Sequence, residues 1–200
     1  MLLIDYIENN YRNCQVKYKY PVALNYEDVD LVSIDFEKIN ELSIVGNESS
    51  RRLGVLKSLL FSMEYYVLEN TFNLYIIDDV NRQLKDFKEK MYTEEYTLDY
   101  SRIGEIIIDL EEKFEERYNL LLQNEGGEKI RMPLQIVVIN SKEAIEYISS
   151  NKQILERYNK LVKQYKALGI SFIYSNIEDV NVPYGCLLYT SPSPRDKRQS

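Results

Sequence analysis

The stretch ELSIVGNESSRRLGVLKSLLFSMEYYVLE, residues 41–69, decides the fold. Its first six residues are an apolar run closed by Gly46, the pattern of a buried strand. From residue 53 onward Leu53, Leu56, Leu59, Leu60, Met63 and Val67 fall on one face of a helix, and the polar residues between them read as a loop. Strand, loop and helix in that order are half of a parallel α/β unit, because parallel strands are joined by a crossover that is usually helical.

The same alternation continues toward the C-terminus. NLYIID (73–78) is a second strand rich in β-forming residues, and the charged run 80–91 predicts a helix. Residues 92–100 read as a short strand and turn. A strongly amphipathic helix follows from Arg102 to about Asn124, with Ile103, Ile106, Ile107, Leu110, Phe114, Tyr118, Leu121 and Leu122 as its stripe; Gly126 and Gly127 stop it. Pro133 introduces LQIVVIN (134–140), a continuous apolar run of the kind found in a strand covered on both faces. Helices are expected at 142–149 and 151–168, the second with Ile154, Tyr158, Leu161, Val162, Tyr165 and Leu168 inward. Gly169 ends it, and ISFIYS (170–175) is the last strand. On the N-terminal side, PVALNY (21–26) and LVSIDF (31–36) alternate with period two around the acidic turn Glu27-Asp28 and predict an edge hairpin. The expected class is α/β, a mostly parallel sheet with helices on both faces.

Composition narrows the chemistry. The 200 residues, 44% hydrophobic and 28% charged, suffice for about one domain. A net charge of −7, with no basic stripe, disfavours nucleic acid as a partner, since that needs Lys and Arg to displace phosphate counterions. With no His, and only Cys14 and Cys186 far apart in sequence, neither a zinc site nor a His-based dyad is expected. No apolar run reaches membrane-spanning length, and Asp5 and Glu8 argue against a secretory signal. The eighteen tyrosines fall on the same stripes as Leu and Ile and read as packing residues. The acid pairs Glu111-Glu112 and Glu115-Glu116 read as a solvated helix face, partnered by Lys113 and Arg117.

The C-terminal CLLYTSPSPRD (186–196) resembles the conceptual translation of a sequencing adapter. Residues 186–200 are therefore read as an artefact and expected to be disordered, with 1–20 as a lead-in and 21–185 as a C-terminally truncated domain. Without the tail, whose basic residues exceed its acidic ones by two, the net charge falls from −7 to −9.

In open α/β sheets, ligands sit beyond the carboxyl ends of the strands. The positions to question are thus Gly46 to Leu53, Asp78-Asp79, Asn140-Ser141 and Ser175-Asn176. GNESSRRL (46–53) has the length of a phosphate loop, G-x-x-x-x-G-K-[ST], and keeps its first glycine. Arg51 stands in the second glycine's slot, Arg52 in the lysine's, and Leu53 in that of the metal-binding hydroxyl. The candidate cofactor-binding residues are Gly46, Asn47, Glu48, Ser49, Ser50, Arg51, Arg52 and Leu53, with Asn140 and Ser141 where a second motif would place its acids. Three readings of the loop follow: a connection that binds nothing, a weak anion or nucleotide site favoured by two arginines at a helix start, or a site competent in hydrolysis. Asp78 and Asp79 also admit a receiver-domain reading, in which acids at strand ends hold magnesium; Asn140 speaks against it.

The order of these segments resembles the FtsK/SpoIIIE-type ATPase domains, and in particular the C-terminal ATPase modules of the type VII secretion motor of Firmicutes, the EssC family. The lead-in YPVALNYEDVDLVSIDFEKINELSIVG (20–46) is similar to that family's entry into its phosphate loop. NLYIIDD (73–79), EERYNLLL (115–122) and LVKQYKALGISFIYSN (161–176) resemble its later motifs, with Ser175-Asn176 in place of Thr-Gln. The resemblance implies a RecA-like P-loop NTPase fold and, because the catalytic positions are altered, a degenerate module with no catalytic residues of its own. It implies no cofactor or weakly bound ATP, and magnesium is not expected. The partners implied are other ATPase modules of the same motor and a secreted protein substrate, in an oligomeric, membrane-anchored parent of which this is a cytoplasmic domain. The alternatives are an active DNA translocase and a free-standing α/β binding protein.

Overall fold

Residues 134–139, all six buried, explain the architecture best, because a strand with no solvent face needs a layer on each side. In this computed structural model the described residues are 18–24, 31–46, 48–65, 72–123, 133–177 and 186–189, without the side chains of 176–177 and 186–189. The elements are β1 (Lys19–Leu24), β2 (Leu31–Asp35), β3 (Glu41–Val45), α1 (Ser49–Tyr65), β4 (Phe72–Ile77), β5 (Thr93–Thr97), α2 (Arg102–Gln123), β6 (Leu134–Ile139), α3 (Lys142–Ser150), α4 (Lys152–Gln164), β7 (Ile170–Ile177) and β8 (Cys186–Tyr189).

β1 and β2 form a separate antiparallel pair. The other six strands make one sheet in the order β5-β4-β6-β7-β3-β8, parallel at every pairing. Alternation along each strand feeds two cores. Leu42, Ile44, Leu74, Ile76, Ile136 and Val138 join α1 and the hairpin on one face. Val137, Ile139, Phe172 and Tyr174 meet α2, α3 and α4 on the other. Each such side chain contributes roughly 1.5–3 kcal/mol by leaving water, so both layers are well supported. Connections from β3 to β4 and from β4 to β5 cross on the first face, and those from β5 to β6 and from β6 to β7 on the second. A single crossover hand requires this when the direction of travel across the sheet reverses.

The sheet and the helices α2 to α4 lie where the sequence places them, within a few residues, and so do the two strands of the hairpin. Gly169 takes φ +88°, the left-handed end expected of it. Six expectations change. The hairpin is a separate pair packed on the first face and not an edge of the sheet. Helix α1 begins at Ser49, not Leu53. The run 80–91 is a series of turns with one 3₁₀ turn, Lys85–Phe87, and no α-helix. The stripe of α2 is buried only as far as Phe114; Tyr118, Leu121 and Leu122 are exposed. Glu111 and Arg117 are buried, so they are not part of a solvated face. Finally, Cys186–Tyr189 is a strand paired with β3 and not disordered, because CLLY is apolar and meets an otherwise open edge. Cys14 and the rest of the lead-in up to residue 17, the turn Glu27-Asp28, Asn47, Val67, the stop at 124–127 and residues 190–200 lie outside the described residues. Among the described residues no helix is long and apolar enough to cross a membrane.

Candidate functional site

Because β3, β7, β6 and β4 are consecutive neighbours, their carboxyl ends line one edge of the sheet, with Gly46, Ser175, Asn140 and Asp78 in a row. The described candidate residues fall on this edge or in the first two turns of α1, and Asn47 lies outside the described residues.

Gly46 ends β3 with φ 159°, and α1 starts three residues later. With arginine in the slot of a second glycine, nothing interrupts helical geometry, and the helix runs back through Ser49, Ser50, Arg51 and Arg52. The Arg51 and Arg52 amides both donate to the Glu48 carbonyl, at 3.1 and 3.2 Å. The Arg51 guanidinium forms an ion pair with the Glu48 carboxylate at 2.8 Å. Arg52 is 2% exposed, and its Nη1 donates to the Gly46 carbonyl. Its Nε is buried with no hydrogen-bond partner. Leu53 packs against the core of the first sheet face. Glu48, Ser49 and Ser50 are exposed.

At the end of β6, Asn140 is buried and donates through Nδ2 to Asp78 Oδ1 (2.9 Å) and Gln83 Oε1 (3.3 Å). Asp78, fully buried, accepts two further backbone donors: the Asp79 amide at Oδ1 (2.9 Å) and the Leu84 amide at Oδ2 (2.7 Å). The Tyr96 hydroxyl completes the set at 2.8 Å from Oδ2. Burial first, and then this hydrogen bond to a carboxylate, push the Tyr96 hydroxyl above the ordinary tyrosine range. Four donors onto one carboxylate tie the ends of β4, β5 and β6 together. Ser141 caps α3, accepting the Ala144 amide at 3.3 Å, while its own hydroxyl donates to Glu143 at 2.9 Å.

The sequence therefore locates the edge, but Arg52 and Asn140 point inward to protein partners. Tyr96 and Gln83 were not anticipated; each lies in a polar stretch whose pattern gives no hint of its neighbours. A third buried group was also missed: the Tyr158 hydroxyl bonds to both the Glu41 carboxylate and the Tyr174 hydroxyl, between β3, β7 and α4. Its only signal was a glutamate opening an apolar strand.

These residues do not fit a magnesium-bound triphosphate. The cation that would meet phosphate is bonded to the loop backbone, Leu53 has no oxygen for a metal, and Asn140 and Ser141 are committed to structural bonds. Among the described residues no group of three or more acidic or cysteine side chains is placed to hold a metal ion.

Neither a protein-family model nor a curated protein matches the sequence. Solved structures do match. EssC ATPases 2 and 3 from Geobacillus thermodenitrificans align at TM-score 0.68 and 19% identity over 86% of this chain and 31% of that one. EccC ATPases 2 and 3 from Thermomonospora curvata, solved with a signal sequence peptide, align at TM-score 0.62 and 15% identity over 78% of this chain and 28% of that one. A structure of the cytoplasmic domain of EssC aligns at TM-score 0.68 and 19% identity, over 87% and 35%. The chain spans about a third of the length of these proteins, and its fold is the α/β P-loop ATPase fold they share.

Proposed function

We propose that this chain is an ATPase-type module of a type VII protein secretion motor that acts by packing against sister modules and recognising a secreted protein, with little or no hydrolysis of its own. The observation that carries the reading is the inward commitment of Arg52 and Asn140 within a fold shared with EssC and EccC modules. A P-loop module that keeps its core and gives its catalytic positions to internal bonds retains surfaces, and surfaces support binding. The signal sequence peptide in the EccC structure makes an exported protein segment the natural ligand class to test. The parent would be membrane-anchored and oligomeric, with this module in the cytoplasm and any residual ATP binding weak and independent of magnesium. An active DNA translocase is the opposing reading. The net charge of −7 disfavours it, because a strand path needs clustered cations.

Two measurements on the purified chain test the proposal. Phosphate release with millimolar ATP and magnesium is expected at background, and saturable turnover abolished by changing Arg52 would sink it. Fluorescence titration with signal sequence peptides of type VII substrates is expected to show saturable binding, and DNA is expected to show none. Binding of DNA without binding of peptide would favour the translocase.

A further inference from the structure

We infer that Arg52 is the built-in occupant of the space that phosphate fills in a phosphate loop, so that the connection after β3 is closed by the chain itself and takes up no anion. The inference rests on reading 46–53 as the counterpart of such a loop, and it goes beyond weak nucleotide binding by denying it.

Three independent features carry it. The helix α1 already begins at Ser49, three residues after Gly46, so its first turn stands where an open loop would wrap a ligand. The Arg52 guanidinium reaches back from that turn to the carbonyl of the loop's first residue, Gly46. It does so at 2% exposure, where no solute can touch it unless the turn unwinds. Neighbouring charge is also accounted for: Arg51 is held by Glu48. Arg52 itself has no carboxylate within ion-pairing distance among the described residues, and its Nε has no partner. A guanidinium in that state is held by packing and backbone dipoles, and an anion that reached it would bind tightly. Closure and capture therefore make opposite predictions about added anions.

The test uses the full chain. Its melting temperature is expected to stay unchanged in millimolar ATP with magnesium and in millimolar inorganic phosphate; a rise with either overturns the inference. Hydrogen exchange then reads the closure directly. In R52A the amides of Arg51 and of the residue at 52, which donate to the Glu48 carbonyl, are expected to exchange at least about tenfold faster, while those of β6 stay protected. Millimolar methylguanidinium is expected to restore slow exchange in R52A and to leave the wild type unaffected. If R52A does not fold, R52M keeps the stem volume without the donors and should show the same local loss of protection. Unchanged exchange at the amides of 51 and 52 in the variant that folds would overturn the inference. A rise in melting temperature with nucleotide would leave the secretion-module proposal standing, whereas failure to bind any signal peptide would count against that proposal and leave the closure intact.

Discussion

At the scale of single residues, Asp78 shows how four donors converge on one buried side chain. D78A would leave the Leu84 amide, the Tyr96 hydroxyl, the Asp79 amide and Asn140 without their acceptor. Buried donors without partners cost about 1–3 kcal/mol each before relaxation, so a loss of at least about 3 kcal/mol is expected, read as a lower urea midpoint. Glu41 behaves differently. Burial is the main influence on it and raises its carboxyl above the ordinary value of 4.5, even though the Tyr158 hydrogen bond and the charges of Lys163 and Lys166 pull the other way. A raised acid is stabilising while protonated, so its contribution is complete below about pH 4.5 and is lost as pH rises through the folded value. E41Q should therefore gain stability relative to the wild type between pH 4.5 and 7. Parallel pH profiles for the two proteins would contradict this. Glu111 has the opposite sign. Burial alone would raise it, but hydrogen bonds and charge from Lys160 and Arg157 outweigh burial and hold it below 4.5. Its stabilisation is present above that value and fades as pH falls through the lowered one. Because Arg157 and Lys160 remain 44% and 32% exposed, E111Q should cost only about 1–2 kcal/mol at pH 7.

Among the elements, α1 has the most to gain from a change. Gly54 lies mid-helix and exposed, with nothing within 4 Å of an added Cβ, so G54A should stabilise the protein by about 0.5–1 kcal/mol, seen as a higher melting temperature. G169A should do the reverse by a similar amount, because φ +88° is unfavourable for alanine. These elements also mark what can be read from sequence. Period and punctuation were enough for β3, β6 and β7, whose apolar residues are numerous and which are flanked by glycine or proline, and for the first half of α2, whose stripe is buried as far as Phe114. They failed at 80–91, where helix-forming charged residues surround just two core contacts, Leu84 and Phe87. There, Asp78 takes the Leu84 amide and Arg82 adopts φ 54°, and these tertiary demands prevent a helix. The site was legible as an edge and as altered slots. The inward turn of Arg52 was not, because the start of α1 is decided by the absence of a second glycine and by space behind β3. No single-residue preference encodes either.

For the molecule as a whole, the six-stranded sheet is bounded by two unlike strands. β5 is short and carries the exposed Glu94 beside Glu95, which pairs with Arg102 at 2.7 Å; charge of this kind discourages further pairing. On the other side, β8 is the only described strand along the outer edge of β3, which carries the fully buried Leu42 and Ile44. A chain stopped after Gly185 should lose protection at the amides of Ser43 and Val45, the alternate pair on the β8 side, and melt at a lower temperature. An unchanged melting curve would show that the pairing adds nothing in solution. The shortened chain would also offer a bare, straight row of hydrogen-bonding groups to any neighbour able to match it. At high concentration it should associate edge to edge into dimers or fibres, with sedimentation rising steeply with protein content, and a short soluble peptide of β-forming sequence should block that assembly by docking in the vacant lane.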